Sequence, residues 1–262
     1  MKSIRQQLRS ELLFLDGAMD IRLMEMGMAP FAHPEMMNLV HPEWVYNVHR
    51  EYLEAGADIL RTNTFGVNGW KCSDVKYQQI IREGIQIARR AAAHASTEEK
   101  PRYVAFDIGP SGAKPMEEAI PSFAEMVQIA EEEGANVIFL DSFQELYEMK
   151  AAVLAAKENT SLPIFVTMAQ SLERDPACFA ALMEGLRVDA LGLQGGTNPN
   201  DILPLVRELA GRCSIPIIAT PNRRLHSPAE EFALDMRELM EAGAHLGGGS
   251  GGTTPAHIRC MA

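Results

Sequence analysis

The sequence predicts a single (β/α)8 barrel over residues 1–262, on three observations. Short apolar runs bounded by turn residues alternate with longer segments whose apolar residues recur every three or four positions, eight of each. Alternation of this kind implies parallel strands joined by crossover helices. A weak repeat, EAGADI from Glu54, EEGANVI from Glu132 and EAGAHL from Glu241, puts a glycine between a helix and an apolar strand three times, as a left-handed helix stop requires. The chain has 262 residues, 47% hydrophobic and 23% charged, enough for one large core, and no Pro- or Ser-rich linker or charge block divides it.

In order, the predicted strands cover residues 12–15, 57–61, 103–107, 136–140, 164–168, 190–194, 217–220 and 245–248. The segments between them carry helical spacing, clearest in QELYEMKAAVLAAKE after the fourth strand and PNDILPLVRELAGR after the sixth. Barrels of this class place their chemistry at the carboxyl ends of the strands. The residues there are Asp16-Gly17-Ala18, Thr62-Asn63-Thr64-Phe65, Asp107-Ile108-Gly109-Pro110, Asp141-Ser142, Ala169-Gln170, Gln194-Gly195-Gly196, Pro221-Asn222-Arg223 and Gly249-Ser250-Gly251. Asp16, Gly17, Asn63, Asp107, Asp141 and Asn222 are the candidate ligand contacts. Three carboxylates and two asparagines at one mouth suit a small polar ligand with an ammonium group, although Asp16 and Asp107 also have the chemistry of turn caps.

A formal net charge of −11 argues against a nucleic-acid surface, which needs clustered Lys and Arg. Arg223-Arg224 is the only basic pair near the mouth, and a solvated loop pair is its simplest reading. The N-terminus lacks the apolar core of a signal peptide, and no run of about 18 apolar residues suggests a membrane span. Cys72, Cys178, Cys213 and Cys260 are widely separated with no CxxC, so unpaired thiols and a cytoplasmic location are expected. The loop GGTNPNDI after the sixth strand has the composition of an anion site at a helix start, with Thr197 or Asn198 as cap, or simply of a helix start.

FLDGAM, GADILRTNTFG, DIGPSG, LYEMKAAVLAA, DALGLQGG, TPN and GGSGGTTPAHI, in that order, resemble the homocysteine S-methyltransferase domain over nearly the whole chain. That family is built on a (β/α)8 barrel and holds zinc with three cysteines, one in a motif like G-x-N-C and two in a motif like G-G-C-C-G-T. Zinc makes the homocysteine thiol a thiolate ready to accept a methyl group. Here the matching positions read Gly192-Leu193-Gln194-Gly195 and Gly248-Gly249-Ser250-Gly251-Gly252-Thr253, so Gly195, Ser250 and Gly251 stand where the resemblance places cysteines. No zinc is expected; an alternative set would have to come from His33, His41 or His226.

Further departures are Asp20 and Ile21 in place of Gly and Thr, and Asp141 in place of the glutamate that meets the substrate amine. The resemblance implies a methyltransferase, divergent and zinc-independent, acting on a small amino-acid-like or thioether substrate. It leaves room for a corrinoid or folate methyl donor and a corrinoid-protein partner. The alternatives are a non-catalytic amino-acid-binding or regulatory protein that kept the pocket, and an anion-binding barrel lyase or isomerase.

Overall fold

The computed structural model describes residues 2–8, 10–30, 32–67, 77–112, 117, 119–170, 175–223 and 227–262. Cys72, Arg224 and His226 lie outside the described residues. The strands are β1 (Leu13–Phe14), β2 (Ile59–Arg61), β3 (Tyr103–Ile108), β4 (Val137–Phe143), β5 (Ile164–Ala169), β6 (Ala190–Gly195), β7 (Ile217–Pro221) and β8 (Ala244–Gly247). All pairings are parallel, in the order β1-β8-β7-β6-β5-β4-β3-β2. A bridge from Leu15 to Ile59 joins the two ends. Asp58 N donating to Phe14 O at 2.7 Å and Asp16 N to Ile59 O at 3.1 Å complete that seam. The fold is the (β/α)8 barrel that the alternation predicts.

The helices among the described residues are α1 (Ile4–Gln7), α2 (Met19–Glu25), α3 (Met37–Val40), α4 (Pro42–Glu54), α5 (Tyr77–Ala95), α6 (Ala119–Glu132), α7 (Leu146–Asn159), α8 (Pro176–Gly185), α9 (Leu203–Arg212), α10 (Ala229–Glu241) and α11 (Pro255–Met261). Three exceed the predicted eight: α1 precedes β1, while α2 and α3 lengthen the connection from β1 to β2. The repeated glycines do what their composition predicts. Gly56, Gly134 and Gly243 follow α4, α6 and α10 with φ of 116°, 78° and 114°, a region open to glycine but costly with a Cβ.

Side chains alternate strictly across the sheet, and two sets of buried residues separate by that period. Ile59, Tyr103, Ala105, Val137, Phe139, Phe165, Ala190, Ile218 and Leu246 form one cluster, joined by Ile4 and Leu8 from and beside α1. Their neighbours Ile138, Leu140, Ile164, Val166, Leu191, Leu193, Ile217 and Ala219 pack with helix residues such as Phe123, Val127, Met149 and Val206. The first set fills the barrel; the second glues helices to it. Phe139 and Phe165 meet edge-on inside, ring centroids 6.3 Å apart, and burying each stabilises the fold by about 1.5–3 kcal/mol. Among the described residues, no helix is long and apolar enough to cross a membrane. Cys178, Cys213 and Cys260 are free thiols.

Candidate active site at the barrel mouth

Extending the inward series by one step gives the floor of the mouth. Ile59 leads to Arg61, Tyr103 and Ala105 to Asp107, Val137 and Phe139 to Asp141, Phe165 to Thr167, and Ala190 through Gly192 to Gln194. β4 is predicted to stop at residue 140 but runs on to Phe143 through a register shift between Leu140 and Phe143. Such a bulge re-aims the side chains beside it, and Ser142 within it takes φ 59°. The resulting cavity of about 450 Å³ is lined by all six candidate contacts, Asp16, Gly17, Asn63, Asp107, Asp141 and Asn222, together with Arg61, Glu35, Gln194 and Ser250.

Arg61 organises this floor. Its Nε donates to Asp16 Oδ1 at 2.9 Å and its backbone N to Asp16 Oδ2 at 2.9 Å, so both Asp16 oxygens are engaged. Nη1 reaches Asp141 Oδ2 at 3.5 Å, while Nη2 donates to Gly249 O at 2.7 Å and Asp16 O at 3.3 Å. Arg61 and the two aspartates are buried. Burial pushes the Asp16 carboxyl up from its ordinary pKa, and the Arg61 charge pulls against that. Burial likewise raises Asp141, opposed by Arg61 and by Thr167, whose Oγ1 donates to Asp141 Oδ1. Burial pulls the guanidinium down, yet the charges of Asp16, Asp141 and Asp107 leave it above its ordinary value. Between Asp16 and Asp141, an ammonium group would therefore meet a cation that the chain itself supplies. Arg61 is the charged residue of the mouth that the sequence reading missed; the alternation from Ile59 is the signal that finds it.

The two asparagines are also engaged. Asn63 Nδ2 donates to Pro34 O at 2.8 Å and Asn38 Oδ1 at 3.0 Å. Asn222 bridges two loops, donating to Gly196 O at 2.7 Å and accepting from Gly251 N at 2.9 Å. Asp107 differs from all of these. It is 7% exposed, and its Oδ1 is buried with no hydrogen-bond partner among the described residues. Burial, and then the Asp141 charge, push its carboxyl well above the ordinary range. Glu35, another residue missed from sequence, is buried against the mouth and accepts from Gly66 N at 2.6 Å.

The glycine-rich loop after β8 packs its own backbone into the mouth. A Cβ on Gly249 would lie 2.3 Å from Thr253 Oγ1. That hydroxyl donates to Ser250 O at 2.6 Å and accepts from Ala18 N at 3.2 Å, tying the β8 loop to the β1 loop. Tyr52 OH from α4 reinforces the tie by donating to Ala18 O at 2.8 Å.

At the positions matching the family's zinc ligands, the donors do not fit zinc. Gly195 and Gly251 offer no side-chain atom, and the Ser250 hydroxyl is hydrogen-bonded to Gln194 Nε2, whose Oε1 accepts from Ser142 Oγ. Neutral hydroxyl and amide groups are poor zinc ligands beside thiolate or imidazole. Among the described residues, no group of three His, Cys, Asp or Glu could hold a metal, and His41 is stacked on Trp44 at 4.1 Å. The anion site considered at GGTNPNDI is filled from within. Asp201 accepts from Thr197 N at 2.6 Å, Thr197 Oγ1 at 2.7 Å and Asn198 N at 3.1 Å, while Asn198 accepts from Asn200 N at 2.9 Å. Those hydrogen bonds, the Thr197 hydroxyl first, hold the Asp201 carboxyl below its ordinary pKa. The loop is a helix start, not an open cradle.

A (β/α)8 barrel with a polar, carboxylate-rich cavity at the carboxyl ends of its strands has the architecture of a small-molecule enzyme. The sequence model of homocysteine S-methyltransferase matches residues 13–262. The chain belongs to the homocysteine S-methyltransferase family. It is 31% identical over 260 residues to methionine synthase of Mycobacterium leprae and 32% identical to that of Mycobacterium tuberculosis, covering 87% of this chain but only 22% of each relative. It thus spans about a fifth of the length of the curated relatives it matches. The oxidized form of homocysteine methyltransferase MmuM from Escherichia coli superposes with a TM-score of 0.85 at 21% identity, covering 100% of this chain and 99% of that one, which shows the shared fold.

Proposed function

We propose that this chain is a methyltransferase that moves a methyl group to or from a small amino-acid-like or thioether substrate held in the barrel mouth, without a zinc-bound thiolate. Family membership supports the reaction class. The observation that carries the rest is the donor set at the zinc-matching positions, a Gln194–Ser250 hydrogen bond beside two glycines. A thiol left at a pKa of about 8.5 is mostly protonated at neutral pH. The mouth makes ionisation harder still, since even with Asp107 neutral the carboxyls of Asp16, Asp20, Glu35 and Asp141 line it beside one guanidinium. A substrate that reacts as a thioether or an amine avoids that cost.

The test is methyl transfer followed by mass spectrometry, with a deuterated methyl group on methyltetrahydrofolate, methylcobalamin, glycine betaine or S-methylmethionine, and homocysteine among the acceptors. Label moving between a donor and a non-thiol acceptor, undiminished by a chelator, supports the proposal. Transfer to homocysteine that depends on added zinc overturns it. Binding with no transfer favours the second reading, a non-catalytic amino-acid-binding protein, for which the loss of all three thiolate positions speaks. The third reading, an anion-binding lyase or isomerase, loses its best loop to Asp201. A corrinoid-protein partner, from the family resemblance, and a cytoplasmic location, from the unpaired cysteines, stay proposals.

A further inference from the structure

The carboxylates of the mouth are not equivalent, and the difference selects a ligand. Asp16 spends both oxygens on Arg61, and Asp141 is held by Thr167 Oγ1 and Arg61. Glu35 accepts from the Gly66 backbone. Asp107 ends the inward face of β3, lines the same cavity, and leaves Oδ1 buried without a partner among the described residues. A buried polar atom without a partner destabilises a fold, and one that lines a cavity can be satisfied by a ligand that enters it. Resting on the small-substrate reading above, we propose that Asp107 is the anchor for the cationic group of the ligand, an ammonium or other small organic cation. Arg61 occupies the place between Asp16 and Asp141 that such a group would otherwise take.

The charge around Asp107 decides between a cationic and an anionic ligand. The groups facing it are Asp141 from β4, Arg61 from β2, Asp16 after β1 and Glu35 from the β1–β2 connection. Even with Asp107 neutral, three carboxylates face one guanidinium, so an incoming anion is repelled and a cation attracted. Burial and the Asp141 charge favour the protonated Asp107 in the free protein. A cation settling beside it reverses that preference, so the carboxyl proton leaves to solvent as the ligand's charge arrives. Binding therefore releases protons and tightens as pH rises through the Asp107 titration.

Calorimetric titration with L-methionine, glycine betaine and N-acetyl-L-methionine, in two buffers of different ionisation enthalpy, tests this. The first two probes carry a cation and the third does not. Wild type is expected to bind at least one cationic probe at least 10-fold more tightly than N-acetyl-L-methionine, with proton release. Asp107→Asn is expected to weaken that probe at least 10-fold and abolish the proton release. Its melting temperature should stay level or rise, because the neutral amide keeps the shape and removes a carboxylate that is repelled by Asp141; a merely structural Asp107 would lower it. Equal affinity for N-acetyl-L-methionine, full affinity in folded Asp107→Asn, or no binding of either cationic probe by folded wild type each overturns the inference. Cation binding through Asp107 without methyl transfer would uphold this inference and sink the methyltransferase proposal. Transfer that survives Asp107→Asn would do the reverse.

Discussion

Arg61 grips Asp16 from two directions, with its backbone N on one carboxylate oxygen and its Nε on the other, each at 2.9 Å. Because Nη2 also donates to Gly249 O at 2.7 Å, one side chain rising from β2 links the loops after β1 and β8 across the closing seam of the barrel. The charge network of the mouth is therefore part of the barrel's closure.

Arg61→Met should be strongly destabilising. It leaves Asp16 and Asp141 buried without their cation, and removing one member of a buried pair costs about 3–5 kcal/mol. Urea unfolding compared with wild type measures the loss. Arg61→Lys should recover only part of it, because an ammonium cannot serve Asp16, Asp141 and Gly249 O together in the guanidinium's planar geometry. A loss under about 1 kcal/mol for Arg61→Met would mean that the aspartates neutralise without difficulty when the cation is removed.

Gly17→Ala should damage the same seam from the other side. The added methyl would lie 2.6 Å from Thr253 Oγ1 and 2.8 Å from Tyr52 OH, the two hydroxyls that tie the loops together. Overpacking of this kind costs about 1–3 kcal/mol. Since Thr253 is the main obstruction, the double variant with Thr253→Ala should lose less than the sum of the single losses. Strict additivity would place the clash elsewhere.

Much of this arrangement was legible from residue order, and what was missed has a physical reason. Each of the eight strand predictions found its strand, because apolar runs and helical spacing respond to the single demand of burial. The six candidate contacts line one cavity because strand ends of one barrel face share a rim. Which of them are free was not legible. Asp16 is engaged by Arg61, Asn63 by Pro34 and Asn38, and Asn222 by Gly196 and Gly251, contacts many residues apart that no local pattern encodes. Arg61 was read as the last residue of a strand, although the period of two already turned it inward. β4 runs three residues beyond its predicted end through a bulge, which no local pattern announced, although the period of two from Val137 and Phe139 already turned Asp141 inward.

Stability should fall with acid through His49. This residue of α4 is fully buried, both ring nitrogens lack partners among the described residues, and burial lowers its pKa to about 3. The folded value lies below the ordinary value of about 6.5, so the unfolded chain binds the proton first. Its contribution is complete above pH 6.5 and is lost as pH falls toward the folded value, by at most about 1.4 kcal/mol per pH unit. His49→Leu keeps an apolar group of similar size and removes the titration. Thermal midpoints of wild type and variant should converge at neutral pH or favour the variant, then separate below pH 6 with the variant more resistant. Parallel curves down to pH 4 would show that His49 is solvated or paired.

The protein should hold far less than one zinc per chain, and a chelator should leave its melting temperature unchanged. Ser250 is hydrogen-bonded into the chain running from Ser142 through Gln194, and the other two matching positions carry no donor. The backbone at two of these positions also disfavours a cysteine. Gly195 has φ 102°, where any residue with a Cβ is strained by about 1–3 kcal/mol. A Cβ on Gly251 would press against Asn222 Oδ1 at 3.0 Å, the acceptor that holds Gly251 N. Replacing Gly195, Ser250 and Gly251 together by cysteine should therefore lower stability before any metal binds, with most of the loss traced to Gly195→Cys alone. Elemental analysis and melting curves of wild type, the single variant and the triple variant, with and without added zinc, check each step. Tightly held stoichiometric zinc in wild type would require a ligand set outside these positions. An unstrained Gly195→Cys would mean that the loop still relaxes into a ligand-bearing shape, so that loss of the thiolates was a change of side chains alone.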